Sequence, residues 1–536
     1  MHASPERYEP PPGGMTSKRP EQSRHSRGPW GATADRTGAR PRSGARKPWL
    51  LLLSAGLIAS AFGSGVATAA GTPPSAARCD RVPTGVGVED HWLPFTVPAG
   101  LMPDPKFAGR PAQIQVHRVR PVYEHGKCPG VPSRAAVLVH GSGVSGTPSF
   151  DLQHAAPGGG TLSTQRALAR AGIDTFAPSL LGYGSSTRFE DGLDDPGNVS
   201  LRPYLTDGSC PHPEGCDRPG TPPNPLDQQG TVILDNPLGG QRIAHSTPSR
   251  FARTDVFVRD IRQVIDDAIE RANPTDGKVT LIGWSFGAAY VGRTLYAANP
   301  VLPGSQDVIS KVNRAVFQSS PFGSPTEEVT PPGGFPTFPT RLTERQSIVS
   351  GPLLPPGREA VCTGHRVPGS QEQLWEQMMQ EDPLGSTWGG TPAEPAGVSR
   401  APTQNLYGWN STVAAQQSTP ALVIHGLDDV VAAPSGSTDI YNSLAVPNKL
   451  LVQVQCGSHL LHLGGCAGPR CTPETGTPYG SRPGRTWGGP HTTYQAALIE
   501  WITRGTFDRA ASGHFVVDES GVARPAFPRR SHVSEG

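Results

Sequence analysis

Residues 278–287 read KVTLIGWSFG, and this stretch decides the fold. Residues 278–283 form a short apolar run of strand type, and residues 286–298 carry a helical pattern. Between them stands Gly283-Trp284-Ser285-Phe286-Gly287. A G-x-S-x-G pattern by itself is weak, because chance supplies about half a match in a glycine-rich chain of this size. Its place between a strand and a helix makes it informative. A serine on so sharp a turn needs glycine on both sides, since the strained backbone leaves no room for Cβ atoms there. The same turn lifts the Ser285 hydroxyl clear of the sheet and aims the helix N-terminus, with the Phe286 N–H, at an oxyanion formed by attack.

Outward from this point, short apolar runs alternate with helical patterns, as in a parallel sheet with crossover helices. Residues 135–139 read as a buried strand ending at His140-Gly141-Ser142-Gly143. Residues 254–272 form a helix with Val256, Val258, Ile261, Val264, Ile265 and Ile269 on one face. Further strands are expected at 315–317, 421–424 and 450–454, with a final helix beginning at 496; the tail 506–536 is expected to add a short hairpin around 513–517 before a disordered basic C-terminal end. A serine nucleophile needs a base, and the base an orienting carboxylate. The strand after the serine ends Gln318-Ser319-Ser320, with no acid; the next leads into His425-Gly426-Leu427-Asp428-Asp429, and the one after into Cys456-Gly457-Ser458-His459. The chain order is therefore serine, aspartate, histidine.

With those residues in view the chain resembles the α/β-hydrolase superfamily over about residues 131–323 and 418–505. The His140-Gly141 loop looks like its oxyanion loop, Gly182-Tyr183-Gly184-Ser185-Ser186 like its G-[YH]-G-x-S segment, and H-G-x-x-D and G-x-H like its acid and base positions. The resemblance implies an α/β-hydrolase fold, a mostly parallel central sheet with crossover helices and a cap. It makes Ser285 the nucleophile, Asp429 the acid and His459 the base, with Phe286 and either Ser142 or Gly143 supplying oxyanion N–H groups. His462, three residues on, and His491, just before the expected last helix, are rival bases. Asp428 is a rival acid, but it lies one residue short of the family spacing and is expected to be a solvated neighbour. His425 and His140 are expected to bond loop backbone near the site.

Two stretches exceed the minimal fold. Residues 187–250 are rich in Asp, Pro and Gly, and residues 324–417 carry Leu374, Trp375, Met378, Met379, Trp388, Tyr407 and Trp409. The second stretch is where the resemblance puts a cap, whose aromatics either line a pocket for an apolar substrate part or glue the cap to the core.

Composition sets the remaining bounds. With 536 residues, 35% hydrophobic and only 17% charged, part of the chain must be loop or tail; glycine (65) and proline (59) point to a compact core with irregular connections. A net charge of +2 provides no field to hold a polyanion, so nucleic acid is not the expected partner. Residues 1–47 read as a disordered basic region, and 48–70 as a signal peptide ending in an A-x-A site, with Met15 as an alternative start. Export leaves no stable membrane anchor after cleavage and fits eight cysteines, an even number. Cys210 with Cys216 and Cys466 with Cys471 suit local staples, Cys79 and Cys128 could tie N-terminal strands, and Cys362 and Cys456 would then remain, although eight cysteines allow 105 pairings. No C-x-x-C appears, and His212 between Cys210 and Cys216 is followed by no second ligand pair, so no metal is expected. Hydrolysis by a serine, histidine and aspartate requires no cofactor. The reading is a secreted serine hydrolase acting on a small ester with an apolar portion. An exported peptidase on the same triad, or a non-catalytic binding protein, are the alternatives.

Overall fold

The computed structural model describes residues 78–102, 105–157, 160–189, 253–302, 304–323, 340–351, 353–383, 385–387, 396–402, 406–465 and 487–526. The expected basic region, signal peptide, basic C-terminal end, most of the 187–250 stretch, Trp388 and four of the cysteines lie outside these residues.

The central sheet begins with two strands that the apolar pattern does not announce. β1 (Gly85–Thr96) and β2 (Pro111–Val122) pair antiparallel along their length. β1 is an edge strand, half exposed and broken by Gly85 and Gly87, so no apolar run marks it. β2 pairs antiparallel with β4 (Ile173–Ser179). From there β4, β3 (Arg134–Val139), β5 (Val279–Trp284), β6 (Val312–Gln318), β9 (Ala421–Gly426), β10 (Lys449–Val454) and β11 (Gly513–Val517) run parallel in that order. β12 (Ala523–Pro525) closes the sheet antiparallel to β11, giving the expected hairpin. A separate antiparallel pair, β7 (Thr340–Glu344) and β8 (Val398–Pro402), lies in the 324–417 stretch.

Both faces of the sheet are covered, which is why its strands read as continuous apolar runs. Val137 and Val139 of β3 pack into one core with Leu281 and Val423, while Ala136 and Leu138 pack into the other with Ile282 and Leu422. The first core is sealed by α3 (Thr254–Ala272) and α4 (Phe286–Thr294), the second by α2 (Thr164–Arg170) and α10 (Pro490–Arg504). The remaining helices are α1 (Gly146–Phe150), α5 (Ser305–Ser310), α6 (Arg345–Val349), α7 (Ser370–Gln380), α8 (Ser411–Ala414) and α9 (Pro434–Ser443). No helix among the described residues is long and apolar enough to cross a membrane.

Two helix boundaries differ from the sequence reading. α4 stops at Thr294, because Asn299 turns inward to donate to Asp255 Oδ1 at 2.7 Å in a buried cluster with Arg293. α10 starts six residues early, at Pro490, whose fixed φ suits a first helical position. Its first turn buries His491, Thr492 and Thr493, polar residues that hide the helical pattern.

A buried ionic cluster ties β2 to the helices beneath it. His117 donates from Nδ1 to Asp90 (2.9 Å) and from Nε2 to Asp151 (3.0 Å), and Asp151 also accepts from Arg166 and Ser163. Burial opposes the imidazolium, but the hydrogen bonds and charges of Asp151 and Asp90 outweigh it and push its pKa up to about 9. A pKa raised on folding contributes stability that is full below the unfolded value, about 6.5, and is lost as pH rises through about 9. Equilibrium unfolding should therefore show wild-type stability falling by up to about 3 kcal/mol across that window. His117→Gln should flatten the fall; an unchanged slope would assign it to another group.

Candidate active site

Three turns meet at the C-terminal ends of parallel strands. Ser285 follows β5 with φ 54° and ψ −126°, a conformation costly for a residue with a Cβ, and its N–H donates to Gln318 O at 2.9 Å. The flanking glycines are required sterically. A Cβ on Gly283 would lie 2.4 Å from Ala288 Cα, and one on Gly287 would lie 2.3 Å from Val139 O.

Asp429 follows β9 and its carboxylate is enclosed. Its Oδ1 accepts the N–H groups of Val431 and Ala432, both at 2.8 Å; its Oδ2 accepts from His425 Nε2 (3.0 Å) and His459 Nδ1 (2.8 Å). Burial would raise its pKa, but the hydrogen bonds from His425, His459 and the Ala432 amide win and hold the carboxyl well below the usual carboxylate range. An anion at Oδ2 fixes the proton of His459 on Nδ1. The lone pair of His459 Nε2 then faces Ser285 Oγ at 2.9 Å, positioned to accept the hydroxyl proton.

The loop after β3 passes against the serine at Gly141, where a Cβ would be 2.9 Å from Ser285 Cβ. His140 holds this loop, donating from Nδ1 to Gly141 O (2.7 Å) and accepting the Leu180 N–H at Nε2 (3.0 Å). It is neutral, because burial pushes its pKa down to about 4. Gly143 adopts φ 83°, and its carbonyl accepts from Ser399 of β8 at 3.1 Å. The Phe286 N–H opens α4, where no intrahelical acceptor exists for it.

The rival bases sit elsewhere. His462 is buried beside Phe150, Trp284 and Tyr494 and accepts from Gln318 Nε2 at 2.8 Å; burial, then the charge of His459, push its pKa down to about 3. His491 lies in the first turn of α10 and donates from Nδ1 to Gly464 O at 2.9 Å. His425 bonds loop backbone at Ala432 O (3.1 Å), as expected, and the Asp429 carboxylate as well. Asp428 corrects the sequence reading. It is not solvated but 7% exposed, and it accepts two hydrogen bonds from Arg358.

One contributor escaped the sequence reading altogether. Trp284 donates from Nε1 to His459 O at 2.9 Å, and its ring lies 5.6 Å from the imidazole, so the residue before the serine also steadies the histidine. The only signal was its place inside the G-x-S-x-G motif.

Among the described residues, the cap aromatics serve packing. Leu374, Trp375 and Met378 are buried in the second core with Phe150 and Trp284, and Trp409 stacks on Phe317 at 4.9 Å. Tyr183 of the G-[YH]-G-x-S segment packs on His140 at 4.6 Å. Among the described residues, Cys362, Asp428 and Cys456 come within metal-ligand spacing of one another. Their donors are already engaged: the sulfurs form a disulfide and Arg358 holds the carboxylate. Cys79 and Cys128 form the second disulfide; the pairings expected for the other four cysteines lie outside the described residues.

The family model described as alpha/beta hydrolase fold matches residues 148–465. No curated protein matches the sequence. Among solved structures, the thioesterase domain from the curacin biosynthetic pathway is 13% identical, covering 70% of this chain and 95% of its own, with a TM-score of 0.34. The Paleococcus ferrophilus monoacylglycerol lipase is 15% identical over 70% of this chain and 96% of its own, TM-score 0.31. A thermophilic esterase from Thermogutta terrifontis is 12% identical over 70% and 93%, TM-score 0.34.

Proposed function

Since the chain belongs to the α/β-hydrolase family, we propose that it is a secreted serine hydrolase that cleaves carboxylic esters through an acyl-enzyme. The observation that carries this reading is the continuous hydrogen-bonded line from Asp429 through His459 to Ser285. His459 Nε2 takes the Ser285 proton as Oγ attacks the ester carbonyl carbon. The charge developing on the carbonyl oxygen is met by the Phe286 N–H and that of Ser142 or Gly143. Collapse expels the alcohol, which leaves with the proton from His459; water then enters and the same steps release the acid. Asp429 keeps the imidazole in the productive tautomer and stabilises the imidazolium between steps. Phe286, half-buried beside the nucleophile, suits a substrate with an apolar portion. Export is supported by the signal-like segment 48–70 and by the two disulfides, bonds that persist in oxidising compartments.

A fluorophosphonate probe tests the nucleophile. Wild type should be labelled at one serine, and Ser285→Ala should abolish labelling while remaining folded, since Ser285 makes no packing contribution that a methyl group lacks. Full labelling of the variant would remove Ser285 from this role. Esters of p-nitrophenol with rising acyl length, run beside aminoacyl anilides, then separate esterase from peptidase activity.

A further inference from the structure

Asp428 and Asp429 are neighbours that face different partners. Asp429 orients the His459 ring, whereas Asp428 joins three parts of the protein. Its N–H donates to Gly457 O at 3.0 Å and its Oδ2 accepts the Cys456 N–H at 2.9 Å, so the acid turn is fastened to the base turn. Its two oxygens accept from Arg358 Nε (2.6 Å) and Nη2 (3.0 Å), a bidentate fork reaching in from the cap. Four residues after Arg358, Cys362 forms a disulfide with Cys456, and the Cys362 N–H donates to Arg358 O at 2.8 Å. One turn of the cap therefore grips the acid turn through an ion pair and the base turn through a covalent bond, and the Cys456 N–H to Asp428 bond ties the two turns together.

The gripped residue is itself under conformational demand. Cys456 has φ 58°, a region that non-glycine residues occupy only where their surroundings over-determine it. Three residues later, His459 must hold Nε2 2.9 Å from Ser285 Oγ. A displacement of about 1 Å at such a group costs on the order of 100-fold in rate. Asp428 and Arg358 are also bound to each other energetically, because removing the guanidinium would leave a carboxylate in a site only 10% exposed.

We infer that Asp428 is a positioning residue that, with Arg358 and the Cys362–Cys456 disulfide, makes the cap set the place of the catalytic histidine. The inference rests on the reading of His459 as the base. Its test uses the full chain with Arg358→Met, Arg358→Lys, Asp428→Asn and the double variant Cys362→Ser/Cys456→Ser. The probe substrate is p-nitrophenyl acetate, and a fluorophosphonate reports two quantities: the extent of labelling counts folded sites, and its rate reports activation of the serine. Arg358→Met, Asp428→Asn and the double variant should lose about 10- to 100-fold in kcat per labelled site and in labelling rate, with KM within about twofold. Arg358→Lys, which keeps the charge without the fork, should recover part of the loss.

A purely structural role gives a different result. The melting temperature and the number of labelled sites would fall while kcat per labelled site stayed within about twofold of wild type, and that outcome overturns the inference. If Arg358→Met does not fold, Arg358→Lys and the double variant decide by the same criterion. Ser285→Ala and His459→Ala run alongside keep the two readings apart. Should these stay active, the serine-hydrolase reading fails; should they be inactive while the Arg358 and Asp428 variants match wild type, only the positioning role fails.

Discussion

His459→Ala is expected to lower kcat by about six orders of magnitude, on the scale of losing the base from a Ser-His-Asp unit. The geometry leaves no substitute. Ser285 Oγ has His459 Nε2 at 2.9 Å, whereas His462 receives a hydrogen bond from Gln318 and His491 donates to Gly464. His462→Ala and His491→Ala should therefore leave kcat per folded molecule within about tenfold of wild type. Their cost should appear in stability, because both side chains are buried and leave cavities. Steady-state kinetics normalised to folded protein, measured by circular dichroism and thermal melting, separates these effects. A His491→Ala variant as slow as His459→Ala would move the base to α10.

Asp429→Asn should cost about 10⁴-fold in kcat through the imidazole tautomer. All four hydrogen bonds to this side chain come from donors: the amides of Val431 and Ala432 at Oδ1, and His425 and His459 at Oδ2. An asparagine keeps a single oxygen, which the two amides claim. Its NH₂ then faces two ring N–H groups, and the encounter is relieved when His459 moves its proton to Nε2, where it no longer accepts from Ser285. The imidazole proton signals of the variant should move with the loss of rate. A fall in kcat of less than about tenfold would show that the tautomer is held by something other than Asp429.

Much of this arrangement is legible in the sequence because the chemistry is local to strand ends. Gly283 and Gly287 flank the serine because backbone atoms occupy the space where their Cβ atoms would go. The same local logic marks the continuous apolar runs of β3, β5, β9 and β10, since a strand buried on both faces has no polar alternation to obscure it. Less legible were β1, an edge strand half open to solvent, and the first turn of α10, where buried threonines and a histidine break the helical pattern.

The chain order of serine, aspartate and histidine at the ends of three strands, and the fold that requires it, were determined by the sequence itself. Periodicity and turn glycines are properties of neighbouring residues. Tertiary structure alone decided the partners of Asp428, the company of His462, and the use of the cap aromatics among the described residues. In the sequence Asp428 and Asp429 differ only by one step of spacing from His425-Gly426, which carries no record of what Asp428 binds. They became different when one met a guanidinium 70 positions away and the other an imidazole 30 positions away. Trp375 and Trp409 likewise read as pocket or as packing until the cap closed over Phe150 and Phe317. Burial and partner identity arise from contacts between distant segments, and a local pattern carries no record of which distant segment arrives.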